Sequence, residues 1–327
     1  MSKLLRHALV AAVAVASPAV LVAPPALGGA GNGADRSAGP VTVAVIGDVP
    51  YGAAQEARFG ELIAAVNGDR EVRAVVHVGD IKSGGTTCTD ERFAAVRAAF
   101  DTFKDPLIYT PGDNEWTDRH RASNGGFDPL ERLAALRALF FAEPGAALGR
   151  RPMRVAHQAG LVENVRWIES RVAFATVHVV GSDNGLAPQT GLGHSEPTAA
   201  QAAEVAARVE AALGWIDATF DAAEAGGLEG VALFMQADTW DPAPTPGQAA
   251  VVERIAARTA SFEGEVLVVQ GDSHVFAADN PLGPANFTRI VVHGATLPFE
   301  YLRLTVDPRR GPLFRWERAP VTDAASP

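Results

Sequence analysis

Hydrophobic positions along the chain follow two alternating periods. Apolar runs typical of buried strands occur at 41–46, 72–78, 106–110 and 172–180, with further strands predicted at 231–235, 265–269, 289–293 and 299–306. Apolar residues at helical spacing predict helices at 53–67, 90–103, 128–142, 198–224 and 246–261. The Arg-rich segment 143–171 shows neither period, and we expect irregular structure there. Strands that alternate with helices and then follow one another alone predict one α/β domain with a mixed sheet.

The first residues have the composition of a secretory signal peptide. Lys3 and Arg6 precede an apolar run at 8–22, and small residues follow up to position 34. Ser17 and Pro18 interrupt the run, which is shorter than the roughly 18 apolar residues of a membrane span. We therefore expect residues 1–34 to be a cleaved signal peptide and flexible leader, residues 35–327 to form a single domain, and the mature protein to be secreted or periplasmic without a stable membrane anchor.

Charge and cysteine content narrow the range of functions. The formal net charge is −10, and removal of the leader takes away the positive charges of Lys3 and Arg6. An acidic surface without a basic patch repels nucleic-acid backbones, so we expect no nucleic-acid binding surface. Cys88 is the single cysteine, which excludes an intrachain disulfide and a multi-thiolate zinc site. We interpret Cys88 as a small, partly buried side chain.

Three predicted strands end in the same dipeptide, Gly-Asp. The aspartates are Asp48, Asp80 and Asp113, spaced 32 and 33 residues apart, about one strand–helix–strand unit each. A fourth strand ends in Gly271-Asp272-Ser273-His274. A single Gly-Asp is a common turn, and Asp often caps a helix. Neighbouring parallel strands, however, leave their carboxyl ends at one sheet edge, where converging carboxylates repel one another unless a cation lies between them. We therefore predict a metal site.

The order of these motifs resembles that of the calcineurin-like metallophosphoesterases, which include the purple acid phosphatases. The resemblance rests on Gly47-Asp48, Gly79-Asp80, Gly112-Asp113-Asn114-Glu115 and Gly271-Asp272-Ser273-His274, and it covers residues 41 to about 306. It implies a four-layer sandwich of two mixed β-sheets flanked by helices. It also implies hydrolysis of a phosphate monoester or diester by metal-activated water.

The resemblance implies two metal positions when it is carried over residue by residue. The metal ligands it assigns are Asp48, Asp80, Asp113, Gln236, Asp272 and His274. Asp48 and His274 would bind the first metal, and Asp80 would bridge both.

The ligand set departs from the family pattern at several positions. Asp113 replaces an asparagine, Gln236 and Asp272 replace histidines, and Pro50 stands at the place of the first motif's histidine. Oxygen ligands suit magnesium, manganese or calcium, whereas imidazole suits zinc and iron. We therefore expect one or two divalent cations, Mg, Mn or Ca rather than Zn or Fe, and we expect cation binding to stabilise the fold.

Catalytic and substrate-binding positions also follow from the resemblance. It places His274 and Asn114 in catalytic positions, although Asn114, which replaces the family's histidine, can donate a hydrogen bond to a phosphoryl oxygen but cannot deliver a proton. Three histidines are alternative proton donors, although the favoured interpretation of each is an ordinary surface or hydrogen-bonded histidine: His120, His178 and His194. Asn184 is either a substrate-binding residue or a turn residue. Glu115 is expected to anchor its loop by accepting hydrogen bonds.

Two functions are compatible with this sequence. The first is a secreted, metal-dependent phosphoesterase acting on a small-molecule or other phosphorylated substrate. The second is a non-catalytic relative that binds a divalent cation or ligand without turnover, because several family histidines are replaced. A nucleotide-binding domain is disfavoured, since Gly47 and Gly52 belong to neither a G-x-G-x-x-G nor a G-x-x-x-x-G-K-[ST] loop.

Overall fold

The computed structural model of the protein describes residues 39–321, so the predicted signal peptide and leader lie outside the described residues. The strands are β1 (Val41–Ile46), β2 (Val72–His77), β3 (Leu107–Tyr109), β4 (Ala156–Gln158), β5 (Leu161–Glu169), β6 (Val172–Thr176), β7 (Gly230–Phe234), β8 (Glu265–Gln270), β9 (Ala277–Asp279), β10 (Phe287–Val291), β11 (Glu300–Val306) and β12 (Phe314–Pro320). The helices are α1 (Gly52–Gly68), α2 (Asp90–Phe100), α3 (Pro129–Phe140), the one-turn segment α4 (Gly181–Asn184), α5 (Ala199–Ala225) and α6 (Pro246–Ser261). Among the described residues, no helix is long and apolar enough to cross a membrane.

The strands form two mixed sheets. A five-stranded sheet has the order β12-β11-β1-β2-β3, in which β1, β2 and β3 are parallel neighbours and β11 and β12 are antiparallel. A seven-stranded sheet has the order β4-β5-β6-β7-β8-β10-β9, with β6, β7, β8 and β10 parallel. Because parallel strands need crossover connections, helices cover the outer faces of both sheets.

Three apolar clusters hold four layers together. One cluster lies between the five-stranded sheet and helices α1, α2 and α3. A second lies between the two sheets, where the rings of Trp167 and Phe174 stack with centroids 4.9 Å apart. A third joins the seven-stranded sheet to α5 and α6. The predicted sandwich of two mixed β-sheets flanked by helices is confirmed.

The segment 143–171 is not irregular as predicted, because it contains β4 and β5. The polar residues Glu163 and Asn164 interrupt the apolar pattern of β5, although both are fully buried. The loop after β6 supplies one partner to each: Glu163 Oε1 lies 2.8 Å from His178 Nδ1, and Asn164 Oδ1 accepts from His178 N at 2.8 Å. Arg137 of α3 also donates to Glu163, and Asn164 donates to Gln158 of β4. Burial of these polar groups depends on tertiary partners, which local periodicity does not reveal.

Candidate metal centre

The sheet order brings the Gly-Asp tips together at one end of the sandwich. Asp48, Asp80 and Asp113 follow the adjacent parallel strands β1, β2 and β3, as the spacing of the motifs predicts. Asp272 follows β8 of the other sheet and meets them across the sandwich. Its backbone N–H donates to both carboxylate oxygens of Asp48 at 3.2 Å. The site therefore joins the two sheets.

Two groups of potential ligands share Asp80. Asp48, Asp80 and His274 offer ligand atoms within 4.8 Å of one another, and so do Asp80, Asp113 and Asp272. We call them the first and second triads. The first contains one imidazole, whereas the second consists of carboxylates alone. The structure thus brings together five of the six predicted ligands in two adjacent groups with one carboxylate in common.

The backbone at this site adopts an uncommon conformation. Asp48, Asp80, Asp272 and His274 have φ values of 54°, 61°, 72° and 64°, in the left-handed region. Residues other than glycine seldom adopt this region, and aspartate tolerates it better than most. Four such residues in one cluster indicate that surrounding structure holds the tips in place, which is typical of functional sites.

Glycines permit the close approach of the tips. A Cβ atom added at Gly112 would overlap Oδ1 of Asp80, and one added at Gly271 would lie 2.6 Å from Oδ2 of Asp48. Both approaches are too close for a Cβ atom, so Gly112 and Gly271 are each required by the carboxylate of another motif. At Gly47 and Gly79 a Cβ atom would instead collide with Val78 and with Gln236, so packing also requires glycine there.

Burial and mutual repulsion perturb the acids of the second triad. Burial, followed by the charge of Asp113, raises the pKa of Asp80 well above its usual range. Burial, followed by the charges of Asp118 and Asp272, does the same to the pKa of Asp113. Burial and the neighbouring Asp48 raise the pKa of Asp272 to about 6. The ionised carboxylates repel one another, and a cation bound between them would reduce that repulsion.

Ser182 lies between two carboxylates at the edge of the second triad. Its Oγ atom lies 3.0 Å from Asp113 Oδ2 and 2.7 Å from Asp118 Oδ1. One hydroxyl hydrogen can serve only one of two carboxylates, which are acceptors alone when ionised. Arg121 already pairs with Asp118, with Nη1 2.7 Å from Oδ2, so Asp113 is the carboxylate at which a cation or a proton would add a partner. The donor set, mostly carboxylate oxygen, fits a hard divalent cation.

Gln236 is turned differently from the prediction. Its Oε1 accepts from Gly181 N at 2.7 Å, and its Nε2 lies 3.4 Å from Asp80 Oδ2. The N–H of Gly181 needs an acceptor, which fixes the amide in this orientation. An amide nitrogen donates hydrogen bonds and does not bind cations. Gln236 thus presents a donor to the carboxylates in place of the expected oxygen ligand.

Asn114 and Tyr51 surround the shared carboxylate. Asn114 Nδ2 donates to Asp80 Oδ2 at 2.7 Å and to the hydroxyl of Tyr51 at 2.8 Å, while Asn114 N donates to Asp80 Oδ1 at 3.0 Å. Tyr51 Oη donates to the same Oδ2 at 2.5 Å, and its ring meets His274 edge to face, with centroids 5.2 Å apart. Tyr51 was not predicted, although it follows Asp48 by only three residues.

Comparison with solved structures identifies the architecture. A dimetal phosphatase from Danio rerio superposes with a TM-score of 0.50 over 86% of this chain and 97% of its own, at 14% sequence identity. A purple acid phosphatase from yellow lupin seeds gives 0.50 over 88% of this chain and 52% of its own, at 10% identity. The protein has the calcineurin-like phosphoesterase fold. No protein-family model and no curated protein matches the sequence.

Buried groups outside the triads support the loops of this candidate site. As expected, Glu115 anchors its loop: Oε1 accepts from Ile81 N at 3.0 Å, Tyr109 Oη at 3.0 Å and Gly112 N at 3.2 Å. The ammonium group of Lys82 donates to the backbone oxygen of Asn114 at 2.7 Å, and burial lowers its pKa to about 8. The loop after β3 is thus stabilised by hydrogen bonds to the carboxylate of Glu115 and from the ammonium group of Lys82.

The other predicted polar residues lie within the scaffold of the fold. Asn184, with φ 53°, accepts from Val180 N and donates to Gly247 O, so both ends of its amide are used and the turn interpretation fits. His178 is fully buried, and its Nδ1 atom lies within hydrogen-bond distance of Glu163. Nδ1 of His120 accepts a hydrogen bond from Gly191 N. His194 is exposed in the loop before α5. We therefore do not include Asn184 in the proposed site.

The first triad opens to solvent. Asp48 is fully buried, whereas the side chain of His274 is 38% exposed. The next residue, Val275, is 70% exposed. His274 is thus the member of the first triad that contacts solvent.

Of the site residues that were not predicted, some lie beside a recognised motif and others do not. Tyr51 and Lys82 lie in the loops that follow the first two Gly-Asp motifs. Their polar side chains, so close to predicted metal ligands, could have been recognised as candidate site residues. Asp118 and Ser182 reach the site from a short 3-10 helix and from the left-handed turn α4. Neither had a local pattern that pointed to the site.

Proposed function

We propose that the protein is a secreted, metal-dependent phosphoesterase that hydrolyses a phosphate monoester or diester. The observation that carries the proposal is the pair of carboxylate-rich triads sharing Asp80 at one end of a calcineurin-like fold. Metal ions in such pairs lie about 3.5–4 Å apart and act on the attacking and leaving oxygens of one displacement. A small phosphorylated molecule is the proposed substrate class.

Each triad would bind one cation. Asp48, Asp80 and His274 would hold one cation, and Asp80, Asp113 and Asp272 the other. When bound, the cations would lower the pKa of a water molecule and neutralise charge on the phosphoryl group.

Cation preference follows from the donor set. Only one of the ligands, His274, offers nitrogen, and Gln236 does not present its oxygen. Carboxylate oxygens favour Mg, Mn or Ca over Zn or Fe. We propose that one or two cations of the first group support the function.

A non-catalytic cation-binding role is the second candidate. It is favoured by Asn114, which replaces the expected histidine and whose two amide hydrogens are both engaged by Asp80 and Tyr51. Such a protein would gain thermal stability from cations without turning over phosphate esters.

One assay separates the two candidates. The mature protein would be stripped of metal, resupplied in turn with Mg, Mn, Ca, Zn or Fe, and tested with chromogenic phosphate monoester and diester substrates. Asp80→Asn removes the negative charge of the shared ligand, and Asp105→Asn is a matched control at a buried aspartate that pairs with Arg151. Cation-dependent turnover that is lost only in Asp80→Asn supports the phosphoesterase. A cation-induced rise in Tm without turnover supports the binding protein, and neither effect refutes both.

Secretion is proposed from the N-terminal composition and has its own test. The chain would be expressed in a bacterial host, and the mass of the protein in the periplasm or medium would be measured. Cleavage before residue 35 is expected. A full-length product retained in the cytoplasm would contradict it.

A further inference from the structure

The two carboxylate oxygens of Asp80 have different surroundings. Oδ1 faces the loop after β3, where Asn114 N donates to it at 3.0 Å and Gly112 packs against it. Oδ2 faces the other side chains of the site. Three side-chain donors reach it: Tyr51 Oη at 2.5 Å, Asn114 Nδ2 at 2.7 Å and Gln236 Nε2 at 3.4 Å. Oδ2 is therefore the oxygen directed toward the triads.

These donors and bound cations cannot use Oδ2 at the same time. A carboxylate oxygen has two lone pairs, and a cation held at Oδ2 would compete with these donors for them. The hydrogens of a hydroxyl or an amide carry partial positive charge, so cations at Oδ2 repel them. Cations held at Oδ2 would therefore displace the hydrogen bonds of Tyr51 and Asn114 from it.

The released donors need new acceptors. Asn114 is only 9% exposed, and the hydroxyl of Tyr51 reaches no other protein acceptor among its hydrogen bonds in the described chain. A buried donor without a partner carries a desolvation cost. Phosphoryl oxygens are acceptors alone, and charged acceptors form the stronger hydrogen bonds.

We propose that Tyr51 and Asn114 are phosphate-binding residues that occupy Asp80 in the cation-free protein and are freed for the substrate when cations bind. The proposal rests on the proposed function, since it requires cations at the two triads. It assigns Tyr51 to the chemistry of the site and explains how Asn114 acts without the family's histidine. Cation and phosphate binding are then coupled: each is tighter when the other is present.

The test compares Tyr51→Phe with Tyr109→Phe by calorimetry. Both changes remove a buried tyrosine hydroxyl and keep the ring, but Tyr109 donates to Glu115 and not to Asp80. Manganese affinity would be measured first, and the affinity of the manganese-loaded protein for inorganic phosphate second. Far-UV circular dichroism would verify folding.

The two variants have distinct expected results. Tyr51→Phe should bind manganese as tightly as the wild type or more tightly, because a competing donor is gone. It should bind phosphate about tenfold or more weakly, because a hydrogen bond to a charged group is lost. Tyr109→Phe should change neither affinity. Weaker manganese binding by Tyr51→Phe, or unchanged phosphate binding, would overturn the proposal.

A second variant protects the test against a failure of Tyr51→Phe to fold. Asn114→Asp has the same shape but no amide hydrogens, so it should bind manganese more tightly and phosphate at least tenfold more weakly. Unchanged phosphate binding by this variant would also overturn the proposal. A wild type that binds no manganese would refute the proposed function together with this inference. A wild type that binds both ligands alongside an unaffected Tyr51→Phe would refute this inference alone.

Discussion

Replacing Asp272 by asparagine isolates one repulsive charge of the second triad. Asparagine has the same shape as aspartate and also tolerates the left-handed backbone that Asp272 adopts, with φ 72°. The change therefore removes an ionisable group with little other disturbance. Its effect on stability must depend on pH and on cations.

The size of the effect follows from the pKa of the carboxyl group. Burial and the charge of Asp48 raise the pKa of Asp272 from 3.8 to about 6. Ionising it in the folded, cation-free protein thus costs on the order of 3 kcal/mol relative to the unfolded chain. Because the folded pKa is the higher one, this loss of wild-type stability is absent below pH 3.8, develops as pH rises, and is complete above about pH 6.

The assay is urea unfolding of the wild type and Asp272→Asn in a chelator, at several pH values between 4 and 8. The free energy of unfolding of the variant should rise relative to the wild type by on the order of 3 kcal/mol across this range. Saturating manganese at pH 8 should reverse the order, because the wild type keeps all ligands of both triads. A difference that does not vary with pH, or a variant that stays more stable in manganese, would refute this reasoning.

Three further substitutions test separate parts of the structure. Gly112→Ala should abolish the cation-induced rise in Tm, because its methyl group would overlap the shared Asp80. The control Gly60→Ala, in open space on α1, should leave that rise intact and increase the free energy of unfolding by about 0.5–1 kcal/mol. Equal behaviour of the two variants in thermal melts would contradict the packing argument. Glu115→Ala removes an acceptor of three hydrogen bonds and should lower the free energy of unfolding by roughly 2–4 kcal/mol in urea; a loss under 1 kcal/mol would show that the loop holds itself. His178→Gln should lower Tm because Glu163 loses a buried partner. It should leave the pH profile of any turnover unchanged. A shifted profile would show that His178 is a proton donor.

Sequence periodicity predicts the elements that pack by local rules. The parallel strands are continuous apolar runs because both faces are buried, and α5 and α6 carry clear apolar stripes. β5 and β12 were not predicted because the polarity of their side chains does not follow their burial. β12 is largely exposed at a sheet edge, and β5 buries Glu163 on His178. Such pairing is decided by partners distant in sequence.

The site shows the same division between local and distant signals. Its carboxylates could be predicted because each ends a strand, and parallel strands β1, β2 and β3 deliver their ends to one edge. The orientation of Gln236 could not, because it is set by the N–H of Gly181, which arrives from another loop. The competition of Tyr51 for Asp80 likewise depends on where a side chain folds back.

Anomalous diffraction from a crystal grown with manganese tests the central claim most directly. Two bound cations should give two peaks, about 3.5–4 Å apart, on either side of the Asp80 carboxylate. One should contact Asp48 and His274, and the other Asp113 and Asp272. The absence of a peak at both triads, in crystals saturated with manganese, would contradict the proposed metal centre and the function built on it.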